Sequence, residues 1–206
     1  MKTACRLWVA VLGLALIAPL AVAQLSGVYY VGKSLAPGGY DADFPTLDSA
    51  ITVLRDTLTG GVIGPTTFYL LDSLYDNINL SRIRYRGASP SRSVTIKPSQ
   101  GVKATINFTN ASTSSTGQLQ FGDEAYTYFS PTYFTIDGSN TPGGTTRDLT
   151  INFNGRNGVR VFVNSTHITI KNCLMNVTQK VTTSSSNCIV FSMQYRPPGS
   201  AGVAGY

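Results

Sequence analysis

The chain has 206 residues, with 20 Gly, 10 Pro, a single glutamate (Glu124) and only 13% charged residues. So little Glu, set against so much Thr, Ser, Asn and Tyr, reads as strands and turns rather than helices. Regular alternation and many aromatics speak against disorder, and the length suits one domain. Net charge is +6, or +4 once Lys2 and Arg6 leave with an N-terminal leader. The local cluster Arg82, Arg84, Arg86 and Arg92 reads as a solvated edge, so no nucleic-acid partner is expected.

In chain order, Met1 to Ala23 reads as a secretory signal peptide. Lys2 and Arg6 make the positive start, Leu7 to Leu20 the apolar run, and Ala21-Val22-Ala23 the small-residue cleavage site. No later stretch of the mature chain, residues 24–206, is apolar enough for a transmembrane helix. Gly27 to Val31 is a first strand, followed by a turn at Pro37-Gly38-Gly39. One amphipathic helix is expected, with Leu47, Ala50, Ile51, Leu54 and Leu58 on its apolar side, Thr46 as N-cap and Gly60-Gly61 as stop. Strands follow at Thr66 to Leu71 and Asn77 to Leu80.

From Ser93 a four-letter phrase takes over: apolar, Thr, Ile, polar. It reads Val94-Thr95-Ile96-Lys97, Ala104-Thr105-Ile106-Asn107, Phe134-Thr135-Ile136-Asp137, Leu149-Thr150-Ile151-Asn152 and Ile168-Thr169-Ile170-Lys171. The starts lie 10, 30, 15 and 19 residues apart, a loose repeat. Each copy alternates with period two, so its first residue and its Ile face inward and Thr and the polar residue outward. Strands this short become stable when successive copies stack, Ile upon Ile, in a solenoid with cap residues at about 24–65 and coils at about 66–206. A β-sandwich is the other arrangement the pattern allows. Gly138 and Asn172 follow two of the copies and suit a turn at positive φ. Asn110 to Gly117 and Ser139 to Thr146 read as outer loops, and Gly158 to Val163 and Cys188 to Met193 as further strands. The end, Arg196 to Tyr206, shows no capping pattern, and the solenoid is expected to be incomplete at its C-terminal end.

The opening resembles the right-handed parallel β-helix, or pectin-lyase-like, superfamily. The residues that carry this are Asp43-Phe44-Pro45-Thr46-Leu47 with Ala50-Ile51, then Gly64-Pro65-Thr66-Thr67-Phe68, then Tyr75. Pectin methylesterases open in a similar way, and Gly61-Val62-Ile63-Gly64-Pro65 looks more like large exported surface proteins of the Bacteroidetes type. The resemblance implies an all-β fold, a right-handed parallel β-helix with an N-terminal capping helix. The methylesterase pattern Gly-x-Tyr-x-Glu is represented only by Ser73-Leu74-Tyr75-Asp76-Asn77, and that family's remaining catalytic motifs have no counterpart.

Two functions follow as expectations. One is an exported protein, secreted or at the outer cell surface, whose solenoid is a scaffold and binding face for a polysaccharide or cell-surface glycan, with no cofactor. Tyr126, Tyr128 and Tyr133 are its candidate sugar-stacking residues, because flat aromatic faces suit apolar sugar faces. The other is a polysaccharide lyase or carbohydrate esterase of the same fold. A lyase likeness implies Ca²⁺, with Asp137 as the likeliest single ligand, Asp123, Glu124 and Asp148 as further acids, and Arg147, Arg156 or Arg160 as base. His167, the only histidine, is expected to face outward beside Thr169. Cys173 and Cys188 are the only thiols of the mature chain, and export permits a disulfide between them. A flat outer face of Thr, Asn and Ser would favour the scaffold. Three acidic side chains converging on one groove with an Arg would favour the enzyme.

Overall fold

A computed structural model describes residues 24–55, 60–78, 80–108, 118–122, 131–154, 157–162, 165–177 and 187–192. The expected leader lies outside these residues, as do Tyr126 and Tyr128. The described residues open with strand β1 (Leu25–Val31) and helix α1 (Leu47–Arg55). Twelve strands follow as four triplets. The first is β2 (Val62–Leu70), β3 (Leu74–Tyr75) and β4 (Leu80–Ile83). The second is β5 (Val94–Pro98), β6 (Ala104–Phe108) and β7 (Leu119–Phe121). The third is β8 (Thr132–Asp137), β9 (Leu149–Phe153) and β10 (Asn157–Phe162). The fourth is β11 (Thr166–Lys171), β12 (Cys173–Val177) and β13 (Asn187–Ser192). Each triplet gives one strand to each of three sheets. These are a five-stranded sheet ordered β1-β2-β5-β8-β11 and two four-stranded sheets, β3-β6-β9-β12 and β4-β7-β10-β13. All ladders between these strands are parallel. The chain is thus β-rich with parallel sheets, compatible with a β-helix. Among the described residues, no helix is long and apolar enough to cross a membrane.

The period-two alternation explains the packing. In β6 and β9 the first, third and fifth residues are buried and the two between are half-buried. Ile106 and Ile151 lie in register, and so do Phe108 and Phe153, whose rings stack at 5.2 Å. In the five-stranded sheet Phe68, Ile96, Ile136 and Ile170 form one inward column. Burying a side chain of this size is worth roughly 1.5–3 kcal/mol.

One expectation needs correction. Successive copies of the phrase do not stack on one another; alternate copies do. The copies starting at Val94, Phe134 and Ile168 lie in the five-stranded sheet, and those at Ala104 and Leu149 in the β3-β6-β9-β12 sheet. The reason is geometric: the chain crosses from one sheet to another before it returns one rung higher.

The helix follows its pattern. Leu47, Ala50, Ile51 and Leu54 are buried. Thr46 caps it, its Oγ1 accepting the Ser49 amide at 3.1 Å while its own amide donates to Ser49 Oγ at 3.3 Å. The two turn positions differ from expectation by half. Asn172 has φ 56°, but Gly138 is not left-handed. A Cβ at Gly138 would strike the Asn172 carbonyl oxygen, so close backbone approach is what requires glycine there.

The two ends of the stack differ. At the N-terminal end α1 buries its apolar side into the core. At the other end the inward residues of the last triplet, Ile168, Ile170, Cys173, Met175 and Val177, are only half-buried.

Candidate functional site

The outer face of the five-stranded sheet collects the most regular set of side chains. Since inward and outward residues alternate, the residues between the inward columns all point away from the core. Val28, Thr67, Thr95, Thr135 and Thr169 are in register on the five strands. Neighbouring strands lie about 4.7–4.9 Å apart, so the four threonines form an evenly spaced row of methyls and hydroxyls. Thr67, Thr95 and Thr135 are half-buried, and Thr169 is exposed.

Aromatic pairs flank this row at opposite corners. Two residues further along the strands, Tyr30 and Tyr69 are in register with rings stacked at 5.9 Å. Two residues earlier, Tyr133 of β8 and His167 of β11 stack at 4.2 Å with an interplanar angle of 14°. Both lie in the left-handed region, with φ 55° and 54°. That region costs an L-residue roughly 1–2 kcal/mol, and here the neighbours hold it twice in succession: Thr132 pairs with Thr166 and Phe134 with Ile168. Tyr133 is half-buried, and His167 is exposed on the outer face as expected.

The column of Tyr30 and Tyr69 continues as Lys97, Asp137 and Lys171, the fourth letters of three phrases. Asp137 is buried between the two ammonium groups, 3.9 Å from Lys97 Nζ and 3.4 Å from Lys171 Nζ. Its Oδ1 accepts Asn172 Nδ2 at 2.8 Å and the Ser139 amide at 3.1 Å. Burial alone would raise this carboxyl, but Asn172, Ser139 and the Lys171 charge outweigh it and hold it below its ordinary value. The segment Ser139 to Thr146, expected as an outer loop, is tied down over this column. Lys97 Nζ donates to the Thr141 carbonyl at 3.5 Å and Asn172 Nδ2 to that of Gly144 at 3.3 Å. Asn140 donates its side-chain amide to the Val102 carbonyl and its backbone amide to Asp148, whose carboxyl is held below its ordinary value by the Thr146 side chain, this amide and the Lys103 charge. Lys171 keeps about half of its side chain, 52%, in solvent. Asp137 is thus the centre of an ion-pair column in this structure. Among the described residues no group of three or more His, Cys, Asp and Glu is placed to hold a metal.

A second concave place is a cleft of about 400 Å³ beside the start of α1, lined among others by Lys33, Thr46, Asp48, Asp72, Leu74 and Asp76. Asp72 accepts the backbone amides of Lys33 at 2.7 Å and Ser34 at 2.9 Å. Burial would raise its carboxyl, but the Ser34 side chain, these amides and the Lys33 charge keep it low. Tyr75 donates to the Val31 carbonyl at 2.6 Å, and burial pushes its hydroxyl up to about 12. Asp76 accepts Asn107 Nδ2 at 2.6 Å. Asn107 in turn accepts from Asn152 at 2.8 Å, and Asn152 from Asn176 at 2.9 Å. The cation beside these acids is a lysine, not an arginine.

The remaining sequence candidates scatter. Arg147 is exposed, Arg160 is buried with its guanidinium 4.5 Å over the Phe162 ring, and Asp123, Glu124 and Arg156 lie outside the described residues. Cys173 is a free thiol in this structure and donates to the Lys171 carbonyl at 3.1 Å, while the side chain of Cys188 lies outside the described residues. Its strand and that of Cys188 belong to different sheets, and burial pushes the thiol up to about 11. The reading of residue types missed His167 as partner of Tyr133 and missed both lysines on Asp137. A signal was there, since the fourth letter of the phrase is charged in one sheet and Asn in the other. No protein family, curated protein or solved structure matches this chain.

Proposed function

We propose that this is an exported protein, secreted or held at the outer cell surface, whose triplets wind into a right-handed parallel β-helix of the pectin-lyase-like kind, capped by α1. Its outer five-stranded face is the working surface and binds glycan chains. One observation carries the reading: four threonines in register, flanked by the half-open stacks Tyr30–Tyr69 and Tyr133–His167. Rings offer flat apolar faces to sugar rings, and the hydroxyl row offers donors and acceptors at one spacing per rung. The buried Asp137 leaves Lys171 as the exposed charge of its column.

A carbohydrate array followed by affinity electrophoresis in soluble polysaccharides tests this. Tyr133→Asn with His167→Asn removes the stack while keeping a residue type that tolerates positive φ. Retardation should weaken by roughly tenfold, in line with about 0.5–1.5 kcal/mol for an aromatic pair. Thr135→Lys should weaken it further, and Ile63→Lys, away from the row, should not. Retardation that ignores Thr135→Lys would remove the face from consideration.

The rival reading, a polysaccharide-active enzyme, draws on the cleft with Asp48, Asp72 and Asp76. Two of these carboxylates already accept hydrogen bonds from Lys33, Ser34 and Asn107. Ultraviolet absorbance of unsaturated products from pectin or alginate, with and without Ca²⁺, decides the lyase version.

A further inference from the structure

The segment from Ser139 to Thr146 bridges β8 and β9 and lies over the Lys97–Asp137–Lys171 column. Its base is fixed by backbone bonds that need no side chain. The Asp148 amide donates to the Gly138 carbonyl at 2.8 Å, the Gly138 amide to the Lys171 carbonyl at 2.9 Å, and the Ala104 amide to the Asp148 carbonyl at 2.8 Å. Its body is different. It reads Ser-Asn-Thr-Pro-Gly-Gly-Thr-Thr and brings no large apolar side chain to the core. Polar ties hold it down, and most of them run through Asp137. The Ser139 amide donates to Asp137 Oδ1 at 3.1 Å. Asn172 Nδ2 is shared between Asp137 Oδ1 at 2.8 Å and the Gly144 carbonyl at 3.3 Å. Lys97 Nζ stands 3.9 Å from Asp137 Oδ2 and donates to the Thr141 carbonyl at 3.5 Å. The tie from Asn140 Nδ2 to the Val102 carbonyl, at 3.1 Å, does not involve it. A surface segment with few buried apolar contacts belongs to the low-stability end of a fold.

We propose that residues 139–146 form a strap that opens and closes over the column, with Asp137 as its latch: the carboxylate keeps the strap down, and the neutral acid lets it lift. The reason lies in the two lysines, which are placed differently when the negative charge goes. Lys171 has 52% of its side chain in solvent and can turn away. Lys97 has 8% and cannot, so its ammonium is left buried and unpaired beneath the strap. Leaving one charge of a buried pair uncompensated is strongly destabilising. Lifting the strap brings water to Lys97 and gives up polar ties that water replaces. The other ionisable groups nearby do not take over the latch. The Cys173 thiol is pushed up to about 11 by burial and is neutral in acid. Arg147 is exposed. Asp148, beside the Lys103 charge, accepts the Asn140 amide at 3.2 Å at the base of the strap. The direction with pH follows from the lowered Asp137 carboxyl. The strap is down above the ordinary value of 3.8 and is released as pH falls through the closed-state value. Open, the strap bares Lys97 two residues from Thr95, so the column then shows two exposed ammonium groups instead of one.

Nuclear magnetic resonance of the unaltered chain tests the latch. As pH falls below about 4, the ordinary carboxyl range, the Gly143 and Gly144 amide signals should move together, before that of Thr95 on β5 reports unfolding. This measurement needs no variant and stands if a variant fails to fold. At about pH 6, Asp137→Asn should already show the open positions of those signals. Labelling of Lys97 by acetic anhydride, read by peptide mass spectrometry, should rise by roughly tenfold or more in that variant, as opening turns from rare to prevalent. Adding Lys97→Met to Asp137→Asn should return Gly143 and Gly144 to their closed positions, since no buried charge then needs water. Asp148→Asn alone should leave Lys97 protected. Strap signals that move only with global unfolding, a Lys97 as protected in Asp137→Asn as in the parent, a double variant as open as the single one, or equal exposure in Asp148→Asn would each overturn the proposal.

Discussion

Strands β9 and β12 carry the same design with different results. Each alternates three inward residues with two outward ones, and the two are in register. The inward side of β9 is covered completely; that of β12 is half open. The difference owes nothing to local pattern or propensity. Among the described residues β9 has a strand on both sides, β6 and β12, and β12 has β9 only. In parallel sheets of short strands burial is conferred by neighbours, so the stability of each strand depends on the strands paired beside it.

Truncations sharpen this contrast. Ile151→Ala, in a fully covered position, should cost about 2–5 kcal/mol. Ile170→Ala, half-covered, should cost about half as much by area. Urea unfolding of both variants in dilute solution checks the pair, and equal costs would break the account of burial by neighbours. Asp137→Asn comes next, at about 1–3 kcal/mol, because it leaves the buried Lys97 without its counter-charge. The sign of its pH dependence follows from the lowered carboxyl. The native pKa lies below the ordinary 3.8, so the stabilisation is complete above that value and is lost as pH falls through the native one. Unfolding midpoints at about pH 6 and about pH 2 should differ less in Asp137→Asn than in the parent. Thr150→Ala, outward on β9, should fall within about 0.5 kcal/mol.

Much of the fold is legible in the residues, and the reason is periodicity. Every copy of the phrase is a strand with its first residue and Ile turned inward, as alternation requires. The helix is legible for the same kind of reason, down to its Thr46 cap. The third sheet is harder to read. Strand β7 is three residues long, and its middle residue, Gln120, is buried, so no alternation marks it. β4 begins at Leu80, where the pattern had suggested a strand ending.

The candidate face was half legible. Tyr133 stood out as an aromatic, but its partner His167 lies 34 residues away and meets it only because both strands leave the ordinary β region at the same step. Asp137 read as an outward turn residue. Its burial comes from a neighbouring rung and from a segment folded back over it, neither of which local spacing records.

The amide row that runs from Asn176 through Asn152 and Asn107 to Asp76 has one further consequence. A carboxylate can only accept, so Asp76 obliges Asn107 to turn its nitrogen downward, and each amide above must follow suit. The row therefore acts as a compass needle laid along the stack. A strand slipped by one residue would turn these side chains to the opposite face and break the row. The register of this sheet is thereby marked in side chains as well as in the backbone.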